Sequence, residues 1–486
     1  MASVYLGVDI GTTSAKCMAV SEKGEQVAFA QQAYPLTHPR QGWAEQDTED
    51  YWRALVSVVR ECTRTLERDF KPCPSIAALA MSTQGDTLIV TDESGLPLLP
   101  AITWMDGRGE AEFDELLSEA GASFWYRETG SPLNALSSAC KIRWLQRNVP
   151  EIAKSRPRYC YVADYLAKRL CGEFVTDTPS ASWTPLFTPS TRRYSEAVLE
   201  ALGIDRDRLS DAAESGQIIG DIPPEVAREL GLRPGTKLVA GAFDQAAAAY
   251  GAGASADGTG VLSCGTAWVL YVVSGGEVVD PNERLCTCCH AAPGTTALVL
   301  PFSGGSTYDW LNRTVRDAGG EPRAEVDSPI FIPHLYGGLS PDWRAESRGS
   351  LIGLTLAHTA GDVRLALMRG LAYETRRNLE AATCTLRSVG QVRRIRMVGG
   401  AGKSATWPQI IANVLRLPVE VSECVESACF GAAMLAAGTT EFRTRDEGRT
   451  FYPDGPGAEV EDRLYARYLQ AYSAMLPLYS SERTNH

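Results

Sequence analysis

Near the N-terminus apolar residues come in short runs broken by polar turns: Val4 to Val8, Cys17 to Val20 and Gln26 to Ala33, with Ser21-Glu22-Lys23-Gly24 ahead of the third. Runs of this length, bounded by turn residues, predict three strands in a β-meander. The period then changes. Trp52, Leu55, Val56, Val59, Thr63 and Leu66 share one face at helical spacing, so a helix capped by Asp47 is predicted from about Glu49 to Arg68. Ile76 to Met81 is the next strand, and its C-terminal end points at Ser82-Thr83-Gln84-Gly85-Asp86. Ligand-contacting loops of α/β sheets sit at such strand ends.

Residues 110 to 235 alternate polar helical stretches with Pro- and Gly-containing turns and read as an insertion on the first core. Lys237 to Phe243 is a strand that ends in Asp244-Gln245 and runs into an Ala-rich helix over 246–250. Beyond the glycine-bearing stretch Gly251 to Gly260, a strand-turn-strand pattern restarts around Ser263-Cys264-Gly265, as though the first architecture were used twice, although no close sequence repeat accompanies it. Thr359-Ala360-Gly361-Asp362 opens a capped helix with Val363, Leu367, Leu371 and Leu379 on its buried side. Gly370 inside that helix costs about 1 kcal/mol against Ala, which predicts close packing against another backbone. Arg394 to Val398 is a strand leading into Gly399-Gly400-Ala401-Gly402-Lys403-Ser404, with a helix after it through Trp407, Ile411, Val414 and Leu415.

At 486 residues the chain exceeds one core of ordinary size, so two domains of roughly 240 residues are expected, divided at 1–250 and 251–486, with a cleft between them. Hydrophobic residues make up 44% and charged ones 22%, as in a globular protein, and no apolar run approaches the roughly 20 residues needed to cross a bilayer. No basic leader with a small-residue cleavage site precedes the first strand, so a reducing cytoplasm is expected, with the 13 cysteines as free thiols. A net charge of -12 argues against nucleic acid or an anionic membrane as partner, since both call for clustered Lys and Arg. Small anions remain accessible through backbone N–H groups and a metal. Cys286-Thr287-Cys288-Cys289-His290 is a poor zinc site, because ligands so close on one extended segment cannot converge on a tetrahedral ion.

The candidate chemistry lies at the strand ends. Asp9-Ile10-Gly11-Thr12-Thr13-Ser14-Ala15-Lys16 has a strand ending in Asp that turns through Gly into small hydroxyl residues, which exposes N–H groups for phosphate oxygens while the carboxylate holds a hydrated Mg²⁺. Ser263-Cys264-Gly265-Thr266-Ala267-Trp268 echoes it, and two such loops can grip one polyphosphate from opposite sides; an ordinary hairpin turn is the plainer alternative for the first. Gly402-Lys403-Ser404 fails as a P-loop because Met397 stands where glycine is required. What survives there is a glycine-lined surface where adenine or ribose could approach the backbone. The small-residue helix Ser427 to Ala433 either supports that surface or simply packs tightly. Asp244, at a strand end and beside Gln245, is the candidate general base, against a helix-capping Asp as the structural alternative. Trp104-Met105-Asp106-Gly107-Arg108 offers an aromatic wall with a carboxylate and a guanidinium for a polyhydroxylated ligand, or else a surface turn with an ion pair.

Together these residues resemble the FGGY carbohydrate kinases, ATP-dependent sugar and polyol kinases. The resemblance runs through Asp9 to Lys16, Gly42 to Asp47, Trp104 to Arg108, Gly241 to Gln245, Ser263 to Thr266, Cys289 to Gly294, Gly353 to His358 and Gly399 to Gln409. It implies an α/β fold of two ribonuclease-H-like domains, of the actin and hexokinase type, with a catalytic cleft between them. It also implies Asp9, Gly11, Thr12, Thr13 and Lys16 as the first phosphate loop with Asp9 toward Mg²⁺, Gly265 and Thr266 as the second, Gly400, Ala401 and Ser404 at adenosine, and Asp244 as the base. Gln84, Asp86, Trp104, Asp106 and Gln245 would line the sugar site. The cofactors implied are ATP and Mg²⁺, and the partner a small sugar; a homodimer is left open.

Two departures bear on the substrate. The resemblance places a Tyr at Leu136 and an Arg at Gly85 in glycerol kinases, so glycerol is disfavoured. The commonest D-xylulose kinases have Met-His where this chain has Gly85-Asp86, a form similar to the L-xylulose and erythritol branches. A ketopentose of the xylulose type is the first expectation, with ribulose, erythritol and 3-keto-gulonate types as alternatives. Where many relatives read Gly-Glu-Arg-Thr-Pro, this chain reads Gly337-Gly338-Leu339-Ser340-Pro341 and lacks the two charges. A rival from another class is a non-catalytic nucleotide switch of the actin type, which Asp244, Asp86 and Trp104 speak against.

Overall fold

The computed structural model describes residues 3–254, 258–276, 278–315, 328–386, 392–422, 424, 426–440 and 448–480. Residues 255–257 of the glycine-bearing stretch after Gly251 lie outside the described residues.

The predicted meander forms as β1 (Ser3–Ile10), β2 (Ser14–Ser21) and β3 (Gln26–Ala33), paired antiparallel. Helix α1 (Thr48–Asp69) covers it, with the Asp47 side chain accepting from the Glu49 amide as its cap. β4 (Ser75–Thr83) then adds parallel to β1. The insertion supplies α2 (Ser138–Asn148) and the edge strand β5 (Ile218–Asp221), and β6 (Lys237–Phe243) completes a six-stranded sheet in the order β5-β6-β4-β1-β2-β3. Helix α3 (Asp244–Gly251) follows directly.

The second half repeats the plan. β7 (Thr259–Cys264), β8 (Trp268–Ser274), β9 (Cys286–Cys289) and β10 (Thr296–Phe302) pair antiparallel in the order β9-β10-β8-β7. After α4 (Gly305–Thr314) and α5 (Ala360–Thr385), β11 (Arg394–Gly399) joins parallel to β7. Helix α6 (Trp407–Leu415) leads to β12 (Val419–Val421), parallel to β11, and after α7 (Ser427–Ala437) the short β13 (Thr450–Phe451) closes the far edge, antiparallel to β12. In both sheets an antiparallel meander is extended by two parallel strands and edged by an antiparallel one. Architecture is duplicated although the sequence shows no repeat, because burial asks only for apolar side chains at each sheet position. Gly370 in α5 does meet a backbone: a Cβ there would stand 2.2 Å from the Phe331 carbonyl oxygen.

The two halves are locked together by small residues. α7 belongs to the second half in sequence, yet it packs on β1 and β4 of the first sheet and on α3. A Cβ on Gly7 would lie 1.8 Å from the Cys429 carbonyl oxygen, and one on Gly431 would lie 2.0 Å from that of Ala247. The small-residue run 427–433 therefore serves backbone-to-backbone packing rather than a nucleotide surface. A single buried cluster crosses the junction, from Met18, Ala78 and Val239 to Val261, Tyr271 and Ala433. The C-terminal ends of β1, β4, β6, β7 and β11 carry the predicted loops.

Candidate active site

The first loop, 11–13, is held from behind by its carbonyls. Tyr34 Oη donates to the Gly11 oxygen, Gln84 Nε2 reaches the same oxygen at 3.3 Å, and Gln46 Nε2 donates to the Thr12 oxygen at 2.7 Å. The amides of Thr12 and Thr13 make no hydrogen bond among the described residues. Carbonyls drawn back and amides left over make an anion-binding concavity. Trp104, 40% exposed, closes one side by donating its Nε1 proton to Thr12 Oγ1 at 3.0 Å.

The second loop uses the same device. Gly265 and Thr266 are exposed between β7 and β8, and their carbonyls accept from the Gly305 and Ser306 amides at 3.1 and 3.0 Å, at the start of α4. A Cβ on Gly305 would stand 2.5 Å from the Gly265 oxygen. Gly304-Gly305 is thus part of the loop's support, which the sequence reading missed. The available signal was a Gly-Gly pair directly after a strand.

Beyond it, a cavity of about 350 Å³ opens beside the β11 turn, lined by Gly399, Gly402, Lys403, Val421, Ser422, Cys424 and Arg449. The expected adenosine residues Gly400 and Ala401 lie in the same turn, but the cavity wall is made by their neighbours Gly399, Gly402 and Lys403. Ser404 does not face it as a free hydroxyl: its Oγ accepts from the Thr406 and Trp407 amides at the start of α6.

Asp244 is aimed by a bulge. The ladder between β6 and β4 shifts register between Val239 and Ala242, and there a Cβ on Gly241 would fall 1.6 Å from the Met81 oxygen, so glycine is required. Among the described residues, the half-buried Asp244 carboxylate accepts only from the adjacent Gln245 amide, at 2.7 Å. Burial first, and the negative charge of Asp9 second, push its pKa up to about 7. Burial likewise raises Asp9, against the opposing effects of Ser82 Oγ, which donates to its Oδ1 at 2.8 Å, and of Lys16. Lys16 itself is engaged across the junction, 2.7 Å from Glu426 Oε2.

Two expected sugar contacts are engaged by protein partners. Gln84 is 2% exposed, with Nε2 shared among Gly11, Gln46 and Tyr51 and Oε1 accepting from Thr87, so it braces the first loop from below. Asp106 is fully buried, accepts from the Ala44 amide at 2.6 Å and chelates Arg108. Its partner Arg108 also meets Glu45 at 2.6 Å and lies over the Trp43 ring at 3.8 Å. Both are polar groups that a motif exposes on paper and the fold consumes.

Asp86 and Gln245 behave differently. Asp86 Oδ2 accepts from the Ser138 amide at 3.1 Å, but Asp86 Oδ1 and Gln245 Oε1 are buried with no hydrogen-bond partner among the described residues. Buried acceptors are rarely left unmatched, so these two are candidates to accept from a ligand. Burial raises the Asp86 pKa to about 6, against the pull of Lys141. That lysine, fully buried on α2 with Nζ 3.5 Å from the Asp86 carbonyl oxygen, was also missed. Its signal was a charge four residues before the buried Leu145, on the apolar side of the helix.

The Cys286-to-His290 segment is structural. His290 is buried between the Tyr271 hydroxyl and the Ala254 carbonyl, and burial lowers its pKa to about 4. All 13 cysteines are free, and no three metal-ligating side chains converge among the described residues. No helix among them is long and apolar enough to cross a membrane.

Known proteins share this design. The chain is 29% identical over 463 residues to a gluconokinase from Bacillus subtilis, covering 90% of this chain and 88% of that one. It is also 29% identical over 421 residues to a xylulose kinase from Escherichia coli, covering 85% and 84%. Among solved structures it superposes on a xyloylose kinase from Brucella ovis with a TM-score of 0.90 at 27% identity, covering 98% of this chain and 100% of that one. The model of the N-terminal domain of the FGGY family of carbohydrate kinases matches residues 4–251 and that of the C-terminal domain matches 300–439, so the chain belongs to the FGGY family of carbohydrate kinases, with its two-domain actin- and hexokinase-like fold.

Proposed function

We propose that this kinase transfers the γ-phosphoryl group of ATP to a neutral small sugar, with a ketopentose of the xylulose type as the first choice and Asp244 as general base. In this reading residues 1–250 bind the sugar, residues 251–486 bind the nucleotide, and the reaction takes place in the cytoplasm. The observation that carries it is the pair of orphaned acceptors, Asp86 Oδ1 on the loop after β4 and Gln245 Oε1 beside Asp244 at the start of α3. Sugar hydroxyls are the donors they lack.

Identity to relatives does not choose the sugar, since a gluconokinase and a xylulose kinase stand equally near. Charge does. The site offers the carboxylates of Asp86, Asp244 and Asp9; Arg108 is paired with Asp106 and Glu45, Lys141 lies against Asp86 itself, and Lys16 is paired with Glu426. An aldonate would bring its own carboxylate against these acids, whereas a neutral ketose or polyol would not.

Phosphoryl transfer depends chiefly on alignment and charge neutralisation. Asp244, with a pKa near neutrality, accepts the proton of the attacking hydroxyl, and the amides of Thr12 and Thr13 and of the second loop hold the polyphosphate. Asp9 suits Mg²⁺: one oxygen is oriented by Ser82, and its burial beside a second carboxylate favours a cation. When bound, the metal neutralises developing phosphate charge, and a site with one or two carboxylates is the kind Mg²⁺ shares with phosphates.

The test is ADP release against D- and L-xylulose, D- and L-ribulose, erythritol, glycerol and gluconate. A ketopentose should stimulate turnover most and gluconate least. Turnover highest with gluconate would reverse the charge argument, and no stimulation by any sugar would return the nucleotide-switch reading.

A further inference from the structure

Gly85 is occupied from above. A Cβ built on it would lie 2.3 Å from Trp183 Cδ1 and 2.9 Å from Trp183 Nε1, so the indole's pyrrole edge rests where any side chain at position 85 would stand. The opposite constraint on Trp183 is Phe243, whose ring stacks on it at 5.2 Å between centroids and 7° between planes. Trp183 therefore bridges the loop that carries Asp86 and the residue immediately before Asp244. It follows the short helix Thr178–Ser182, whose residues are all buried, yet Trp183 itself keeps part of its surface open. Its Nε1 proton has no hydrogen-bond partner among the described residues.

This gives the site a fixed N–H donor on a rigid ring, beside the orphaned acceptors Asp86 Oδ1 and Gln245 Oε1 and the side-chain amide nitrogen of Gln245. Asp86 Oδ1 and Gln245 Oε1 can only receive hydrogen bonds from a sugar, whereas an indole N–H can only give one. A hydroxyl-rich ligand both gives and accepts, and a ketose carbonyl only accepts. We propose that Trp183 is a specificity-determining residue of the sugar site, its Nε1 proton donated to a sugar oxygen and its ring edge setting the pocket wall above Gly85. The assignment rests on the sugar-kinase reading of the Asp86 and Asp244 loops. It also gives Gly85 a reason to be glycine: the residue must stay bare for the indole to reach the ligand.

Three variants separate the parts. Trp183→Phe keeps an aromatic ring to stack on Phe243 and removes the donor together with the pyrrole edge over Gly85. Gly85→Ala keeps the indole and pushes it aside. Trp183→Ala removes both. Each is assayed for sugar-dependent ADP release over the same panel, with the KM for ATP and the thermal midpoint measured alongside.

Trp183→Phe should lower kcat/KM for the best sugar by about tenfold or more, through KM for the sugar, and compress the spread among sugars, because a hydrogen-bonding site discriminates through the bond it loses. Gly85→Ala should alter the ranking in the same direction, with the KM for ATP unchanged in both. If the wild type responds to a sugar and Trp183→Phe keeps its kcat/KM and ranking, Trp183 is only a packing residue and the inference is overturned. It is equally overturned if the variants change the thermal midpoint and the KM for ATP but not the sugar ranking. If no sugar stimulates the wild type, the kinase reading beneath it fails first.

Discussion

Lys16 on β2 and Glu426, the residue just before α7, form an ion pair at 2.7 Å although 410 residues separate them in the chain. The pair joins the first phosphate loop to the second half of the molecule. It also sets Lys16 between two anions, since Asp9 draws on the same ammonium. A polyphosphate arriving at the loop competes with Glu426 for that charge. Glu426→Gln should therefore lower the KM for ATP by about two- to fivefold, the scale of a partly exposed ion pair, and Lys16→Met should raise it. Steady-state kinetics at saturating sugar measure both. A higher KM in Glu426→Gln would mean that Glu426 positions Lys16 instead of competing for it.

The two acids of the sugar site should be visible in a pH profile. Asp244 titrates at about 7 and Asp86 at about 6, each raised by burial. Both work ionised, so log kcat/KM should fall with slope one below about 7 and slope two below about 6. Lys141 pulls Asp86 down, and Lys141→Met should move the onset of the steeper slope to higher pH. An unchanged profile in that variant would remove Lys141 from any role in keeping Asp86 charged.

The same shifts govern stability with the opposite sign from an ordinary paired carboxylate. A carboxyl whose pKa is higher in the fold than in the unfolded chain binds more protons when folded, so its ionisation destabilises the fold as pH rises. For Asp244 the window runs from 3.8 to about 7. Asp244→Asn should raise the thermal midpoint of the ligand-free protein at pH 8 and leave it nearly unchanged below the window. Equal midpoints at pH 8 would show that the repulsion from Asp9 is relieved in solution.

The junction is expected to be intolerant of a single methyl group. Gly7 and Gly431 face backbone oxygens at 1.8 and 2.0 Å from a built Cβ, and backbone cannot move aside as a flexible side chain can. Gly431→Ala should cost at least about 3 kcal/mol, at or beyond the upper end of ordinary overpacking. Chemical denaturation of the variant, compared with Gly253→Ala at a different strained glycine, checks whether the junction is the sensitive place.

Periodicity made most of the scaffold legible. The meander, the Asp47 cap, the capped α5 and the strand before Gly399 follow from local patterns that the tertiary structure did not override. Site residues divide by what local sequence can encode. Glycine-bearing turns at strand ends are local, so the two turns proposed as phosphate loops could be located. Whether a polar side chain faces the cleft or the protein is not local: Gln84 and Asp106 sit in the same kinds of motif as Asp86, yet partners from Gly11, Tyr51, Ala44 and Arg108 consume them. Trp183 reaches Gly85 across nearly a hundred residues, and no pattern near either one announces the contact. Beside 337–341, which lacks the two charges, Asp342 pairs with Arg377.

In the proposed mechanism, proton transfer from a sugar hydroxyl to Asp244 is the decisive step, and one comparison addresses it most directly. Asp244→Asn and wild type are each given ATP, Mg²⁺ and the most stimulating sugar; ATP binding is measured by calorimetry and phosphorylated sugar by mass spectrometry. The expected result is unchanged ATP affinity and sugar-phosphate formation slowed by about 10²–10⁴-fold, since the substitution keeps the shape and removes the proton acceptor. Sugar-phosphate formed at close to the wild-type rate, with ATP affinity unchanged, would contradict this role and leave Asp244 as a structural residue at the head of α3.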